Sequence, residues 1–223
     1  MRLLTQIPIL ILLLQAGTVM AGPQTGAVTG RVPLPTRPSG PIPVEKYTGT
    51  ISGKVVAPPP QRAGVWIEGP AITAAKSPPR VVLAQQGYQF AQRLLIVPRG
   101  TTVEFPNDDN DYHNIFSLSR TKRFDAGRYK KTERPAPAVT FDKVGLVRLQ
   151  CEIHDHMKAV VVVVDSPWFG VTDAAGKFKL SGIAAGNYTL RAQLDEKTQW
   201  SKPITIRPGN STVVDFSNPA ELP

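Results

Sequence analysis

From Thr50 onward, short apolar runs and alternating apolar and polar positions follow one another, each closed by Gly, Pro, Asn or Asp. Thr50 to Val56 alternates, and Val65-Trp-Ile67 is a short apolar run. Arg80 to Leu83, Arg93 to Val97 and Thr101 to Phe105 read as strands, with Pro98-Arg-Gly100 as the turn between the last two. Val139 to Phe141, Gly145 to Gln150 and Ala159 to Val164 follow; the last is a strand-length run that stops at Asp165-Ser-Pro167. Lys177 to Leu180, Tyr188 to Ala192, Ile204 to Ile206 and Thr212 to Phe216 close the series. Asp173-Ala-Ala-Gly176 and Pro208-Gly-Asn210 are turn signals among them. No stretch carries a helical period. Many short strands at close spacing predict an all-β chain of sandwich or barrel type.

The N-terminal part reads differently. Residues 1–21 have the form of an export signal: Arg2 at the start, an apolar run from Ile7 to Leu14, and Val19-Met-Ala21 as a small-residue cleavage pattern. An uncleaved anchor is the alternative, but the run is short beside the about 20 residues a membrane span needs. No later stretch is long enough to cross a bilayer. Residues 22–48, rich in Pro, Gly and Thr, predict an extended or disordered tether.

At 223 residues the chain has room for one large or two small domains. Its formal net charge is +9, and the densest basic stretch runs from Arg120 to Arg134 through Lys122, Arg123, Arg128, Lys130 and Lys131. Such a stretch is a solvated loop or hairpin, or a surface that steers an acidic partner or an anionic surface. No motif for nucleic acid accompanies it. The single cysteine excludes an internal disulfide, and a lone thiol in an exported chain calls for burial or a metal.

The neighbours of that cysteine favour the metal. Cys151, His154 and Met157 fall at three-residue steps in Leu149-Gln-Cys-Glu-Ile-His-Asp-His-Met157, and His113 lies upstream in Phe105-Pro-Asn-Asp-Asp-Asn-Asp-Tyr-His113. One thiolate, two imidazoles and a thioether are the donor set that suits copper with a weak axial sulfur. A loop between strands 145–150 and 159–164 can present three of these donors to one point, with His113 supplying the fourth. Zinc could use the same nitrogen and thiolate donors, but a thioether suits copper better. His156 is expected to alternate away and lie exposed near the metal's edge. A thiol nucleophile would need an oriented base and an oxyanion site, and the sequence offers neither, so no enzyme activity is expected.

These residues resemble the cupredoxins, the small blue copper proteins of the plastocyanin and amicyanin kind, over residues 80–164. The Cys-x-x-His-x-x-Met spacing, Val97-Pro-Arg-Gly-Thr-Thr-Val-Glu-Phe-Pro-Asn107, His113-Asn114, Phe116-Ser117, and Phe141, Gly145 and Val147 carry the likeness. The chain resembles in particular the larger exported plastocyanin-like proteins called methylamine-utilisation-like. The resemblance implies a cupredoxin Greek-key β-sandwich and one type 1 copper held by His113, Cys151, His154 and Met157. It also implies that Asn114 locks the ligand loop from behind, with its backbone amide tuning the thiolate. The acidic run Asp108, Asp109 and Asp111 departs from the pattern.

Residues 171–190, with Thr172-Asp173, Gly176, Phe178, Leu180, Gly182-Ile183, Gly186 and Tyr188-Thr-Leu190, resemble a carboxypeptidase regulatory-like β-sandwich. Such modules open with a strand pair, and residues 49–56 with 64–69 look like that opening. The expected layout is a copper domain over 75–164 inserted into a second small sandwich made of 49–74 and 165–217, followed by a tail, 218–223. The plainer layout keeps 49–164 as one domain with the rest behind it. The expected function is an exported, periplasmic or secreted, one-electron carrier to a redox partner protein such as a cytochrome or dehydrogenase. Copper binding or delivery without electron transfer, and a structural or adhesive β-module, are the alternatives.

Overall fold

The computed structural model describes residues 24–35, 56–69, 80–133 and 135–217. The export-type segment, nearly all of the strand expected at 50–56 and the 218–223 tail lie outside the described residues. Among the described residues there are strands and no helix. In chain order they begin with β1 (Thr25–Arg31) and β2 (Gly64–Glu68). A central group follows: β3 (Arg80–Val82), β4 (Leu94–Pro98), β5 (Thr101–Glu104), β6 (Phe116–Leu118), β7 (Arg123–Asp125), β8 (Ala138–Phe141), β9 (Gly145–Gln150) and β10 (Lys158–Val164). The last group is β11 (Phe169–Val171), β12 (Lys177–Ala184), β13 (Gly186–Gln193), β14 (Gln199–Ile206) and β15 (Ser211–Asp215).

The central group forms one sandwich. A sheet in the order β4-β10-β9-β6-β7 faces a sheet in the order β3-β5-β8. Leu95, Val97, Val103, Phe105, Ile115, Phe141, Val147, Leu149, Val161 and Val163 fill the space between them. A second sandwich sets β12-β1-β15 against β11-β2-β13-β14 around Val28, Val65, Ile67, Leu180, Ile183, Leu190, Trp200 and Ile206. The all-β reading therefore holds.

β10 explains why one run could be apolar without a break. It pairs in parallel with β4 and antiparallel with β9, so it is central in its sheet. Val161 and Val163 point into the first core, while Val160, Val162 and Val164 point the other way. There they meet Trp66, Leu94 and Ile96 in a third apolar cluster. Successive residues of a strand face opposite sides, so a strand buried on both faces needs apolar side chains throughout. β4 is built alike, and β2 sends Val65 and Ile67 into the second core while Trp66 enters this layer. A Cβ on Gly64 would stand 3.0 Å from Leu94 Cδ2, which shows how closely β2 lies against β4.

Two expectations need correction. The tether predicted over 22–48 contains β1, the middle strand of its sheet, antiparallel to β12 and parallel to β15. Its glycines serve closeness rather than freedom: a Cβ on Gly30 would lie 1.8 Å from Val214 O. β1 also fills the opening-strand place that the sequence suggested for 49–56. Strands β7 and β11, three residues each, carry no period of their own and were not foreseen. The basic stretch after Arg120 contains β7, the return arm of a hairpin with β6. The other half of the expected opening pair is in place: β2 pairs with β13 from Thr189↔Glu68 to Gln193↔Gly64 and with β11 on its other side.

The shared apolar layer predicts that the two sandwiches unfold together. Leu94→Ala should cost about 2–5 kcal/mol, as large-to-small changes at buried sites do. Leu94→Asp should split one calorimetric transition into two, and a single unshifted transition would show that the layer does not couple them.

Candidate metal centre

β9 and β10 are joined by the loop 151–157, since Gln150 and Lys158 are the last paired residues. The Cys151 amide donates to Met157 O at 3.3 Å, and the Met157 amide donates to His154 O at 2.9 Å. These bonds close the loop into a compact turn, and they are why three-residue steps in sequence become neighbours in space. Cys151 Sγ lies 3.7 Å from His154 Nδ1. His113 arrives from the segment between β5 and β6, where its backbone exchanges two bonds with Tyr129, at 3.2 and 2.8 Å. Its Nδ1 stands 3.1 Å from Nδ1 of His154. The ligating atoms of His113, Cys151 and His154 all lie within 4.8 Å of one another, and all three residues are buried. Met157 is fully buried beside Cys151 in the first core.

This arrangement can be tested against a metal. With metal–nitrogen bonds of about 2.0 Å and a metal–sulfur bond of about 2.3 Å, these separations subtend angles of about 100° and about 120° at one ion. Two imidazole nitrogens and one thiol sulfur are donors that suit copper. The donors fit the group.

Two residues that sequence reading did not assign hold His113 in place. Asp109 Oδ2 lies 2.9 Å from His113 Nε2. The same carboxylate accepts from the backbone amides of Gly87 at 2.7 Å and Tyr88 at 2.9 Å. With the proton on Nε2 directed at Asp109, Nδ1 of His113 keeps its lone pair for the metal. The acidic run before His113, noted only as a departure, was the available signal. Tyr88 adopts a left-handed backbone, φ 60°. Its ring meets His113 and His154 edge-on, with centroids 5.5 and 5.2 Å away, and its hydroxyl bonds the Asp111 carboxylate. No local pattern marks that residue, because a loop some sixty residues upstream of the cysteine brings it in.

Asn114 sits behind the loop. Its Oδ1 accepts from the Glu152 amide at 2.7 Å, and its Nδ2 reaches Asp125 at 3.5 Å. His156 differs from the expectation of an exposed side chain: it is half-buried, and its Nε2 donates to Tyr88 O at 2.9 Å. The converging group does not include it. His154 is only 2% exposed. It forms the floor of a surface depression of about 410 Å³ that it shares with Asp111, Tyr112, Arg128 and Ile153.

Burial dominates the protonation of these groups. It depresses His113, although the Asp109 bond and charge pull the other way. Burial, and then the His113 and His156 charges, bring His154 down to about 4. For Asp109, burial opposes the charged form, but the Tyr88 and Gly87 amides and His113 outweigh it and leave the carboxyl below its ordinary value. Both imidazoles are therefore neutral at neutral pH, the state in which nitrogen can bind a metal.

Residues 157–218 match the carboxypeptidase regulatory-like domain family. The match begins at β10, a strand that the structure pairs with β4 and β9 of the other sandwich. No curated protein matches the chain. Among solved structures, a Cu-containing nitrite reductase from Thermus scotoductus SA-01 is similar at 26% identity and TM-score 0.36. That likeness covers 42% of this chain, which spans only 25% of the reductase. A reduced Cu(I) form of an amicyanin mutant at pH 4 is similar at 22% identity and TM-score 0.35, over 45% of this chain and 98% of that one. Amicyanin from Paracoccus versutus is similar at 22% identity and TM-score 0.35, over 45% of this chain and 97% of that one. The stretch that matches the carboxypeptidase regulatory-like family thus follows directly on the segment in which His113, Cys151 and His154 converge.

Two outcomes follow from these contacts. Between pH 6.5 and about 4 the unfolded chain binds a proton at His154 that the folded chain refuses. The metal-free protein should therefore lose stability as pH falls through that window. Its urea midpoint should move down; a flat or rising midpoint would show that the ring is not buried uncharged. Asp109→Asn should weaken copper binding about 10–100-fold in a competition titration, the usual cost of losing a partner behind a ligand. Asp108→Asn, on an exposed side chain, is the control and should leave affinity unchanged.

Proposed function

We propose that this protein is an exported type 1 copper protein that carries single electrons between redox partners. The observation that carries this reading is the convergence of two buried imidazole nitrogens and a buried thiol within 4.8 Å of one another. Bound copper would supply the one-electron couple. His113, Cys151 and His154 would hold it through Nδ1, Sγ and Nδ1, with Met157 as the weak axial donor. Asp109 keeps the Nε2 proton of His113 in place, and Asn114 fixes the backbone just after Cys151. Tyr88 packs against both imidazoles, and burial keeps water away from the donor atoms. Ligands fixed by backbone bonds on both sides of the loop move little between oxidation states, which favours transfer over catalysis.

The depression above His154 is the shortest way in for a partner. Arg128 lines it, and Lys130 lies 4.4 Å over the Tyr112 ring at its rim. With Asp111 in its lining and Glu152 paired to Arg128 at 2.6 Å, the surface around Ile153 and His154 carries both signs of charge, and a redox protein such as a cytochrome or dehydrogenase would dock there. The pairing of β2 with β11 and β13 supports a copper domain inserted into the second sandwich, whose role would be to hold and orient it. Export rests on the form of residues 1–21. Among the described residues no helix is long and apolar enough to cross a membrane.

Copper-loaded, oxidised protein should show an intense visible thiolate-to-copper band that Cys151→Ser removes, and it should be reduced and reoxidised reversibly. Colourless copper binding, or rapid loss of copper to a chelator with no reversible couple, would favour metal delivery and sink the carrier reading.

A further inference from the structure

The seat of β1 between β12 and β15 is selective. A Cβ on Gly26 would lie 2.5 Å from Arg207 O and 2.8 Å from Asn210 O, and one on Gly30 would lie 1.8 Å from Val214 O. Backbone oxygens cannot yield as a side-chain tip can, so both positions require glycine. Val28 and Val32 are fully buried in the second core. A strand that fits must therefore read Gly-x-aliphatic-x-Gly-x-aliphatic, with branched side chains of about valine's size at the two buried places. Further contacts add preferences: the Thr29 hydroxyl lies 3.4 Å from that of Ser211, and Arg31 Nε donates to Ala175 O at 2.8 Å.

The chain carries this pattern twice. Thr48-Gly-Thr-Ile-Ser-Gly-Lys-Val55 repeats Thr25-Gly-Ala-Val-Thr-Gly-Arg-Val32. Gly49, Ile51, Gly53 and Val55 stand at the four demanding positions, and Ser52 and Lys54 keep the hydroxyl and the cation. Other glycines at the same spacing fail the buried places: Gly22 with Gly26 puts Gln24 there, and Gly182 with Gly186 puts Ala184 and Tyr188. Residues 48–55 lie outside the described residues, and their likeness to β1 is read from the sequence.

We propose that this seat is a strand-binding groove with two alternative ligands in the same chain, residues 25–32 and residues 48–55, either of which completes the second sandwich. The connection permits it once the Val56 amide leaves Gly87 O, to which it donates at 3.1 Å. Val32 donates to Gly176 O, and Ala63 exchanges bonds with Thr172, so only the turn 172–176 separates the end of β1 from the start of β2. With Val55 in the place of Val32, residues 55–63 bridge that gap with up to about 26 Å of reach at about 3.3 Å per residue. Both ligands belong to one polypeptide, so exchange within a molecule outcompetes exchange between molecules at ordinary concentrations. Seating the second copy moves residues 25–47 out of the loop before β2 and into the lead that follows the export-type segment. The seated copy thereby sets the length of the lead between residue 21 and the second sandwich. The metal reading is not needed for any of this.

Full-length Gly30→Val, Gly53→Val and the double variant test the proposal by thermal unfolding and amide hydrogen exchange. Each single variant should keep a cooperative transition for the second sandwich, and the double variant should lose it. In Gly30→Val the amides of residues 50–55 should gain protection that they lack in Gly53→Val, while those of 27–31 lose theirs. If either single variant unfolds as completely as the double, the seat has one ligand and the proposal fails. It fails equally if the double variant stays folded, or if residues 50–55 gain no protection in Gly30→Val.

Discussion

The structure depends on a sheet that is buried on both faces. β10 and β4 turn alternate side chains into the first core and into the layer beneath Trp66, so one pair of strands belongs to two hydrophobic assemblies at once. A strand so placed cannot slip by one residue without moving each apolar side chain to the opposite core. Its register is thus fixed from both sides. β10 is also the arm from which the 151–157 loop returns, so the fixed register sets the height at which Cys151 and Met157 stand over His113. Packing far from the donors determines their position.

Around the donors the fold solves an electrostatic problem. His113, Cys151 and His154 are buried together where a charged imidazole is costly, and burial pushes both histidines toward the neutral form. The Asp109 carboxylate is held by two backbone amides and faces the ring nitrogen turned away from the cluster. It orients His113 without occupying the ligand position. Tyr88, in its left-handed backbone, closes the same side and accepts the His156 proton at its carbonyl. A bulky residue in that conformation is held only when its surroundings fix it, here through Asp109, Asp111 and His156.

Glycine has two meanings in this chain. In the stretch before β2 it reads as flexibility by composition, yet at Gly26 and Gly30 it marks places where neighbouring backbone leaves no room for a methyl group. The opening strand of the second sandwich was recognisable as a type of sequence, and the type occurs twice. Local pattern alone could not say which copy is seated, because both satisfy the same steric conditions.

The strands long enough to show a period, the all-β class and the nearness of His113, Cys151 and His154 were legible in the sequence. β9 runs over Gly145 to Gln150 as the alternation indicated, and Cys151, His154 and His113 meet as their chemistry suggested. These features are local: side-chain period, turn residues and ligand spacing act over a few positions. Long-range packing alone makes Thr25–Arg31 a central strand, sets Asp109 and Tyr88 against His113, and buries His154 beside a surface depression. Each of these depends on segments far apart in the chain meeting at one point. That meeting is set by which apolar faces can be buried together, which no short window of sequence contains.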